Sequence, residues 1–148
     1  MSYLLDTNIL LRLINPEDPM HLEVVDAICF LNSQRHQLII APQNLIELWN
    51  VGTRPSDKNG LGFTINEIEA EIDGLKRFFV FLPNRENIYS EWERLVITYK
   101  VKGTKVHDTR LVAFMLVHQI SYILTFNLRD FRRFQEITPI SPQQINET

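Results

Sequence analysis

The chain has 148 residues, of which 45% are hydrophobic and 22% charged, and its formal net charge is −3. These proportions are close to the globular average and exclude a disordered, collagenous or disulfide-stapled chain. A chain of this length predicts one domain over residues 1–148. The net charge also excludes a uniformly basic nucleic-acid-binding protein, so that such a role requires a local basic surface.

The sequence predicts a cytoplasmic protein with no membrane partner. Its N-terminus carries no basic leader. The longest later apolar run, Leu111–Val117, is far shorter than the roughly 20 residues that span a bilayer. The single cysteine, Cys29, excludes an internal disulfide and lies in an apolar stretch typical of a small buried side chain.

Short apolar runs alternate with helical patterns from the N-terminus onward. Tyr3–Leu5 is predicted to be a buried strand, followed by helices over Thr7–Ile14 and Pro19–Asn32. Leu38–Ala41 is β-branched and predicts a second strand. Pro42 suits the first position of the next helix, where its missing N–H costs nothing.

The remainder of the chain continues this alternation. Residues 52–64 hold three of the five glycines and predict an exposed loop, after which a capping box opens a helix over Thr64–Phe78. The later predicted elements are a strand over 79–82, helices over 84–101 and 108–119, a strand over 122–125, a helix over 127–134 and an edge strand over 137–140. The alternation predicts an α/β fold, with a parallel sheet flanked by helices. Ligands of such sheets bind beyond the carboxyl ends of the strands.

Two acidic residues in the first half of the chain are candidates for a site. Asp6 directly follows the first strand, where it can serve either as a helix N-cap or as a ligand at the carboxyl edge of the sheet. Glu47 falls opposite the helical stripe formed by Leu45, Leu48 and Trp49. Periodicity therefore predicts a solvated Glu47.

Asp108 gives a stronger signal because it shares one helical face with Leu111, Val112 and Met115. A carboxylate at the head of a core-facing stripe is expected to point inward, although stabilisation of the helix dipole would also explain it. The neighbouring His107 is typical of a surface histidine or of a partner for a carboxylate.

Asn127 and Asp130 follow the fourth strand and are typical of an N-cap residue and its N3 partner. Several carboxylates at one sheet edge would suit a hard cation such as Mg²⁺, which needs only one or two of them and retains water ligands. Such a centre could polarise a phosphodiester. No nucleophile elbow, phosphate-binding loop or zinc-protease motif offers an alternative.

Four segments, in this order and at this spacing, resemble the PIN-domain family, and within it the VapC-type toxins of bacterial toxin–antitoxin pairs. The segments are Leu4-Leu5-Asp6-Thr7-Asn8-Ile9-Leu10, Asn44-Leu45-Ile46-Glu47, Val106-His107-Asp108-Thr109-Arg110-Leu111-Val112-Ala113 and Leu124-Thr125-Phe126-Asn127-Leu128-Arg129-Asp130-Phe131. The resemblance extends over nearly the whole chain.

Membership would imply a Mg²⁺- or Mn²⁺-dependent endoribonuclease on a Rossmann-like sheet, with a cognate antitoxin protein and a homodimeric assembly. Asp6, Glu47 and Asp108 match the family's three acidic catalytic positions. Asp6 and Asp108 would be metal ligands and Glu47 a further candidate ligand, which reverses the interpretation from periodicity. The accessory positions implied are Thr7, Asn8, Asn127 and Asp130, with Asn127 standing where some members have an acid.

Residues 100–133 hold seven basic and two acidic side chains, for a local net charge of +5. Such a stretch could contact RNA phosphates, or it could be an ordinary solvated face. The RNA-binding candidates within it are Lys100, Lys102, Lys105, Arg110 and Arg129.

Two other functions compete with a toxin nuclease. A PIN scaffold that binds RNA or protein without cutting would be consistent with the missing acid at Asn127. A haloacid-dehalogenase-like phosphatase also places an Asp after its first strand, but it requires a second Asp at the position that Asn8 occupies.

Overall fold

The computed structural model describes residues 1–148, in which five short parallel strands form one sheet. The strand order is β3-β2-β1-β4-β5, so β1 is central and β3 and β5 are the edges. The strands are β1 (Ser2–Leu5), β2 (Gln37–Ile40), β3 (Val80–Phe81), β4 (Tyr122–Leu124) and β5 (Thr138–Ile140). The predicted parallel α/β sheet is therefore confirmed, including an edge strand that carries Pro139.

Helices connect successive strands, as parallel pairing requires. The helices are α1 (Thr7–Leu13), α2 (His21–Ser33), α3 (Pro42–Thr53), α4 (Ile65–Phe78), α5 (Ile88–Thr98), α6 (Lys105–Val117), α7 (Leu128–Phe131) and α8 (Pro142–Asn146), with a 3-10 turn at Ser56–Lys58. None of these helices combines the length and the apolar character that a bilayer crossing demands.

Each face of the sheet has its own hydrophobic core, because successive strand residues point to opposite faces. Leu5 and Leu124 belong to a cluster of 19 buried residues that includes side chains of α1 to α4 and α8. Leu4 and Ile123 belong to a second cluster, of 15 buried residues, that includes side chains of α5, α6 and α7. The sheet is therefore covered on both sides.

The strand order reverses between β1 and β4, which creates the crevice where ligands of such sheets bind. Leu5 pairs with Leu124 in the sheet register, and the N–H of Asp6 donates to the carbonyl of Leu124 across 3.0 Å. The residues that follow the two strands, Asp6 and Thr125, therefore stand side by side at this crevice.

Several residues of the segment predicted as a loop over 52–64 are packed against the rest of the protein. Gly52 and Thr53 complete α3, and Gly52 is packed so closely that a β-carbon there would lie 2.6 Å from Cδ1 of Ile68. Leu61 and Phe63 pack against the first core cluster. At Gly52 the glycine therefore reflects close packing of α3 against α4.

The interpretation of Cys29 as a buried side chain is wrong, because its position on α2 is exposed. The face of α2 that is buried carries Val24, Ala27, Ile28 and Leu31. The boundary of α6 also differs from the prediction, since this helix begins at Lys105 rather than at Asp108.

Candidate metal centre

Asp6 is buried at the carboxyl end of β1, with both carboxylate oxygens bound by the protein. Oδ1 accepts the N–H of Thr7 at 2.8 Å, and Oδ2 accepts the hydroxyl of Thr125 at 2.7 Å. Asp6 is thus the N-cap of α1, as one interpretation predicted, and it also faces the crevice. The N-cap bond uses only Oδ1, since Oδ2 is bonded to Thr125.

Burial raises the pKa of Asp6 to about 6, and the nearby charges of Asp108 and Glu47 act in the same direction. The hydrogen bonds from Thr125 and Thr7 oppose this shift because they stabilise the ionised form. A bound cation would relieve the mutual repulsion of the carboxylates, so the electrostatics of Asp6 favour a positively charged ligand.

Glu47 lies on α3 and is half-buried, so the solvated position that periodicity predicted is wrong. Its Oε1 accepts the hydroxyl of Thr7 at 2.6 Å. The Oγ1 of Thr7 in turn accepts Nδ2 of the fully buried Asn44 at 3.3 Å. The hydroxyl of Thr7 therefore fixes the direction in which the Glu47 carboxylate points.

Gln43 lies one turn before Glu47 on α3 and also contacts the Glu47 carboxylate. Its Nε2 lies 3.4 Å from Oε2 of Glu47 and donates to the carbonyl of His107 at 2.8 Å. Its Oε1 accepts Nη1 of Arg110 at 3.2 Å. One buried amide therefore links α3 to the first turns of α6.

Asp108 lies half-buried in the first turn of α6, and its carboxylate accepts no hydrogen bond from the protein. Burial raises its pKa, with a further rise from the charge of Asp130 that Lys105 partly offsets. An unpaired, partly desolvated carboxylate at a helix N-terminus is available to a ligand. Leu111, Val112 and Met115 are buried, which confirms the predicted core-facing stripe.

Asn8 lies beside the Asp6 carboxylate, with Nδ2 3.5 Å from Oδ2 of Asp6 and 3.4 Å from Oγ1 of Thr125. Asn127 occupies the N-cap position of α7 without a side-chain cap, and its N–H donates to Oγ1 of Thr125 at 2.9 Å. Asp130 pairs with Lys105 instead of serving as the N3 partner. Asn127 is therefore the N-cap residue, as predicted, but its side chain and that of Asp130 make no capping bonds.

One cavity of about 340 Å³ brings the three acidic candidates together. Its lining includes Asp6, Glu47 and Asp108 together with Thr7, Asn8 and Asn127, whereas Asp130 lies outside it. We call this cavity the candidate metal centre. It draws one carboxylate from each of three segments: the end of β1, α3 and α6.

The donor set of the candidate metal centre fits a hydrated Mg²⁺ or Mn²⁺ ion. The structure does not gather three acidic, histidine or cysteine side chains tightly enough to ligate one ion together. Magnesium usually binds through one or two carboxylates and retains several waters. Asp6 and Asp108 could supply those oxygens, and the cavity has room for water.

The candidate RNA-binding residues have different surroundings. Lys105 is paired with Asp130, and Arg110 is engaged by Gln43. The three that remain exposed are Lys100, Lys102 and Arg129. The structure therefore brings Arg110 and Lys105 near the candidate metal centre while leaving the other three accessible to solvent.

Thr125, Asn44 and Gln43 are site residues that the sequence interpretation did not single out. All three are buried polar residues, which is unusual unless they are hydrogen-bonded. A polar run at the start of an otherwise apolar helix, as in Gln43-Asn44, is the signal that could have identified two of them. Thr125, directly after a buried strand, carries a weaker signal of the same kind.

Comparisons with known proteins agree with this fold. A chain in the structure of VapBC2 from Rickettsia felis, bound to a DNA fragment from their promoter, superposes with a TM-score of 0.69 at 16% identity, over 95% of this chain and 98% of that one. For VapBC-1 from nontypeable Haemophilus influenzae the TM-score is 0.67 at 20% identity, over 97% and 99%.

The toxin VapC20 of Mycobacterium tuberculosis, described as cleaving the sarcin-ricin loop, superposes with a TM-score of 0.58 at 17% identity, over 82% of this chain and 87% of that one. A comparison with curated protein sequences finds no match. The family model described as PIN domain matches residues 3–137, which include all three carboxylates and every strand of the sheet except the edge strand β5. The chain therefore belongs to the PIN domain family.

Proposed function

We propose that the chain is a divalent-cation-dependent endoribonuclease that acts as the toxin of a toxin–antitoxin pair. The observation that carries this proposal is the convergence of Asp6, Glu47 and Asp108 on one cavity at the sheet's switch point. Similar folds in the VapBC structures and in a toxin described as cleaving the sarcin-ricin loop support it. A nuclease of this kind would act in the cytoplasm.

Asp6 and Asp108 would hold Mg²⁺ or Mn²⁺ in this proposal. When bound, the cation supplies Lewis-acid polarisation of the phosphodiester and neutralises charge that develops on its oxygens. Asp6 is fixed by Thr7 and Thr125, so its carboxylate is oriented before any ligand arrives. Asp108 has both oxygens free to coordinate.

Glu47 would orient or accept a proton from the attacking water. Its Oε1 is occupied by the short bond from Thr7, whereas Oε2 has only the 3.4 Å contact with Gln43. Oε2 is therefore the oxygen available for proton transfer or for a further coordination bond. A general base must lie within hydrogen-bond reach of its proton, which the cavity permits.

The direct test is cleavage of single-stranded RNA with and without divalent cation. We expect cleavage by the purified protein in Mg²⁺ or Mn²⁺, none in excess chelator, and loss of cleavage in Asp6→Asn and Asp108→Asn variants that remain folded. Undiminished cleavage in chelator, by protein free of contaminating nuclease, would refute the mechanism. Binding of RNA without any cleavage in Mg²⁺ or Mn²⁺ would favour the non-cutting scaffold.

The biological role needs a separate experiment. We expect expression of the protein alone to arrest bacterial growth, and co-expression of the small reading frame beside its gene to restore growth. The antitoxin would be that neighbour's product. Harmless expression of protein that cleaves RNA in vitro would remove the toxin role and leave the nuclease activity. A homodimer is also part of the proposal, and sedimentation of the purified protein tests it.

A further inference from the structure

A second cavity, of about 440 Å³, lies where the start of α5 faces the start of α6. Its lining combines two aromatic rings, a histidine and two arginines: Arg85, Tyr89, Trp92, His107 and Arg110. We call this cavity the aromatic pocket. The carboxylate mechanism does not use this cavity, and Arg110 is the one RNA-binding candidate named above that lines it.

The aromatic pocket shares a wall with the candidate metal centre. His107 faces the aromatic pocket, while the next residue along α6, Asp108, faces the candidate metal centre. Gln43 completes the wall, because its side chain bonds both Arg110 and the backbone carbonyl of His107 and contacts Glu47. The two cavities are therefore connected through Gln43 and the first turns of α6.

The two rings of the aromatic pocket differ in how they are held. Trp92 is anchored, because its Nε1 donates to the carbonyl of Val106 at 2.8 Å and its ring packs against the second core cluster. Tyr89 is 65% exposed, with its ring centroid 5.5 Å from that of Trp92. An exposed aromatic beside an anchored one offers flat apolar surface that a third ring can cover.

The charges around these rings favour an anionic ligand. Arg85 takes part in none of the chain's four ion pairs, and Arg110 has one amide partner. Glu86 is the only acidic residue of the lining, and the hydroxyl of Tyr89 donates to Oε2 of Glu93 at 3.1 Å. An apolar helix docked here would desolvate these arginines without pairing them, which is costly. A ligand that combines a flat ring with a phosphate would cover the aromatic side chains and pair with the arginines.

We propose that the aromatic pocket binds one unstacked nucleobase of the RNA strand whose phosphodiester lies in the candidate metal centre. The base stacks against Tyr89 and Trp92, and Arg85 and Arg110 contact the phosphates that flank it. Proteins bind single-stranded RNA by such stacking. The inference rests on the proposed function and extends it, since the pocket would select where along the strand cleavage occurs.

Fluorescence gives a direct test, because the chain has two tryptophans and only Trp92 lies in the aromatic pocket. In the Trp49→Phe, Asp108→Asn protein with Mg²⁺, Trp92 reports ligand binding without cleavage. We expect saturable quenching by a short single-stranded oligoribonucleotide and no quenching by ribose 5-phosphate. A failure of the oligoribonucleotide to change the Trp92 signal, despite measurable RNA binding, would overturn the proposal.

A scan of abasic positions in the same oligoribonucleotide identifies the stacked base. One abasic position should weaken binding to the Asp108→Asn protein by between about 5-fold and 150-fold, the usual range for removal of one stacked base. Adding Tyr89→Ala should weaken binding of the intact strand and remove the sensitivity at that position. Phe78→Ala is the matched control, since Phe78 is also an exposed aromatic, 67% exposed, on a different helix.

Three results would contradict this inference, and the first two separate it from the proposed function. Equal abasic sensitivity with and without Tyr89 would exclude the stacking site and leave the nuclease proposal intact. Dissociation of a dimer by Tyr89→Ala, with RNA affinity unchanged, would assign the aromatic pocket to a second copy of the chain. Absence of RNA binding by every variant would overturn both proposals.

Discussion

The hydroxyl of Thr125 donates to Oδ2 of Asp6 across 2.7 Å, and Oγ1 of Thr125 itself accepts the N–H of Asn127 at 2.9 Å. The first bond joins the end of β4 to the end of β1 at the point where the strand order reverses, and the second lies within the segment that follows β4. Thr125 is fully buried, so its hydroxyl has no water to replace these partners. The acid at the centre of the site is therefore held by the neighbouring strand.

Replacing Thr125 with Val should raise the pKa of Asp6 above its present value of about 6, because the hydrogen bond that Val cannot make favours the ionised carboxylate. We expect lower cleavage at neutral pH and partial recovery at higher pH, whereas Thr125→Ser should keep the wild-type profile. The measurement is the dependence of cleavage rate on pH for the three proteins. Identical profiles for the Val and Ser variants would show that the hydroxyl does not tune Asp6.

The sequence predicted the strand and helix alternation well because parallel strands buried on both faces are continuous apolar runs. It also placed Asp6 and Asp108 correctly, since one follows a buried strand and the other heads a buried stripe. Glu47 was misplaced by periodicity because the buried face of α3 includes Gln43 and Asn44, one turn before it. A count of apolar residues alone cannot detect a polar buried face.

Other errors came from interactions between distant parts of the chain. Asp130 was predicted to cap its own helix, but Lys105, which lies 25 residues earlier, competes for it. Cys29 was placed in the core because its neighbours are apolar, whereas the core-facing stripe of α2 is rotated away from it. Only tertiary packing decides between a local partner and a distant one, or between two adjacent faces of an apolar helix.

The stability of the cation-free protein should fall as pH rises from about 4 to 6. The folded state raises the pKa of Asp6 to about 6, above the unfolded value of about 3.9. The folded protein therefore retains a proton in this window that the unfolded chain has released, so deprotonation favours unfolding. The complete effect is on the order of 3 kcal/mol at neutral pH, at about 1.4 kcal/mol per pH unit.

Asp6→Asn removes this titration, so its stability relative to wild type should improve between pH 4 and pH 7. Urea unfolding in chelator at several pH values measures the difference. Asp57→Asn provides the control, because it makes the same change of charge at an exposed position. A constant difference between Asp6→Asn and wild type over this range would contradict the assignment of a raised pKa to Asp6.

Thr7 should act as a positioning residue for Glu47. Thr7→Val removes the 2.6 Å bond to Oε1 of Glu47 and the acceptor for Asn44, so the carboxylate no longer has a fixed direction. We expect kcat to fall by about 10-fold to 100-fold, the scale of a small misplacement of a reacting group, with little change in KM. Thr7→Ser keeps the hydroxyl and should restore kcat. A purely structural role would instead lower the melting temperature of the Val variant while leaving the kcat of its folded fraction unchanged.

Residues 99–104 connect α5 to α6, and we call them the basic turn. The basic turn should bind RNA phosphates through Lys100 and Lys102, which are both exposed. Lys105 should contribute less, because Asp130 already pairs with it. For a single strand, removing one lysine that binds a phosphate reduces the slope of log K against log salt by about 0.7, so replacing both exposed lysines should flatten it by roughly 1.4. Glutamine is the substitution of choice, because it keeps most of the side-chain length.

A salt titration of RNA affinity in the Asp108→Asn background, where cleavage is expected to be absent, gives these slopes. Adding Lys105→Gln to the double variant should change the slope little, since the charge it removes is already neutralised by Asp130. Lys58→Gln, in the exposed 3-10 turn, tests whether the RNA strand instead follows the segment 52–64. If Lys58→Gln flattened the slope while the double variant remained parallel to the reference, the RNA would run along residues 52–64 and not along the basic turn.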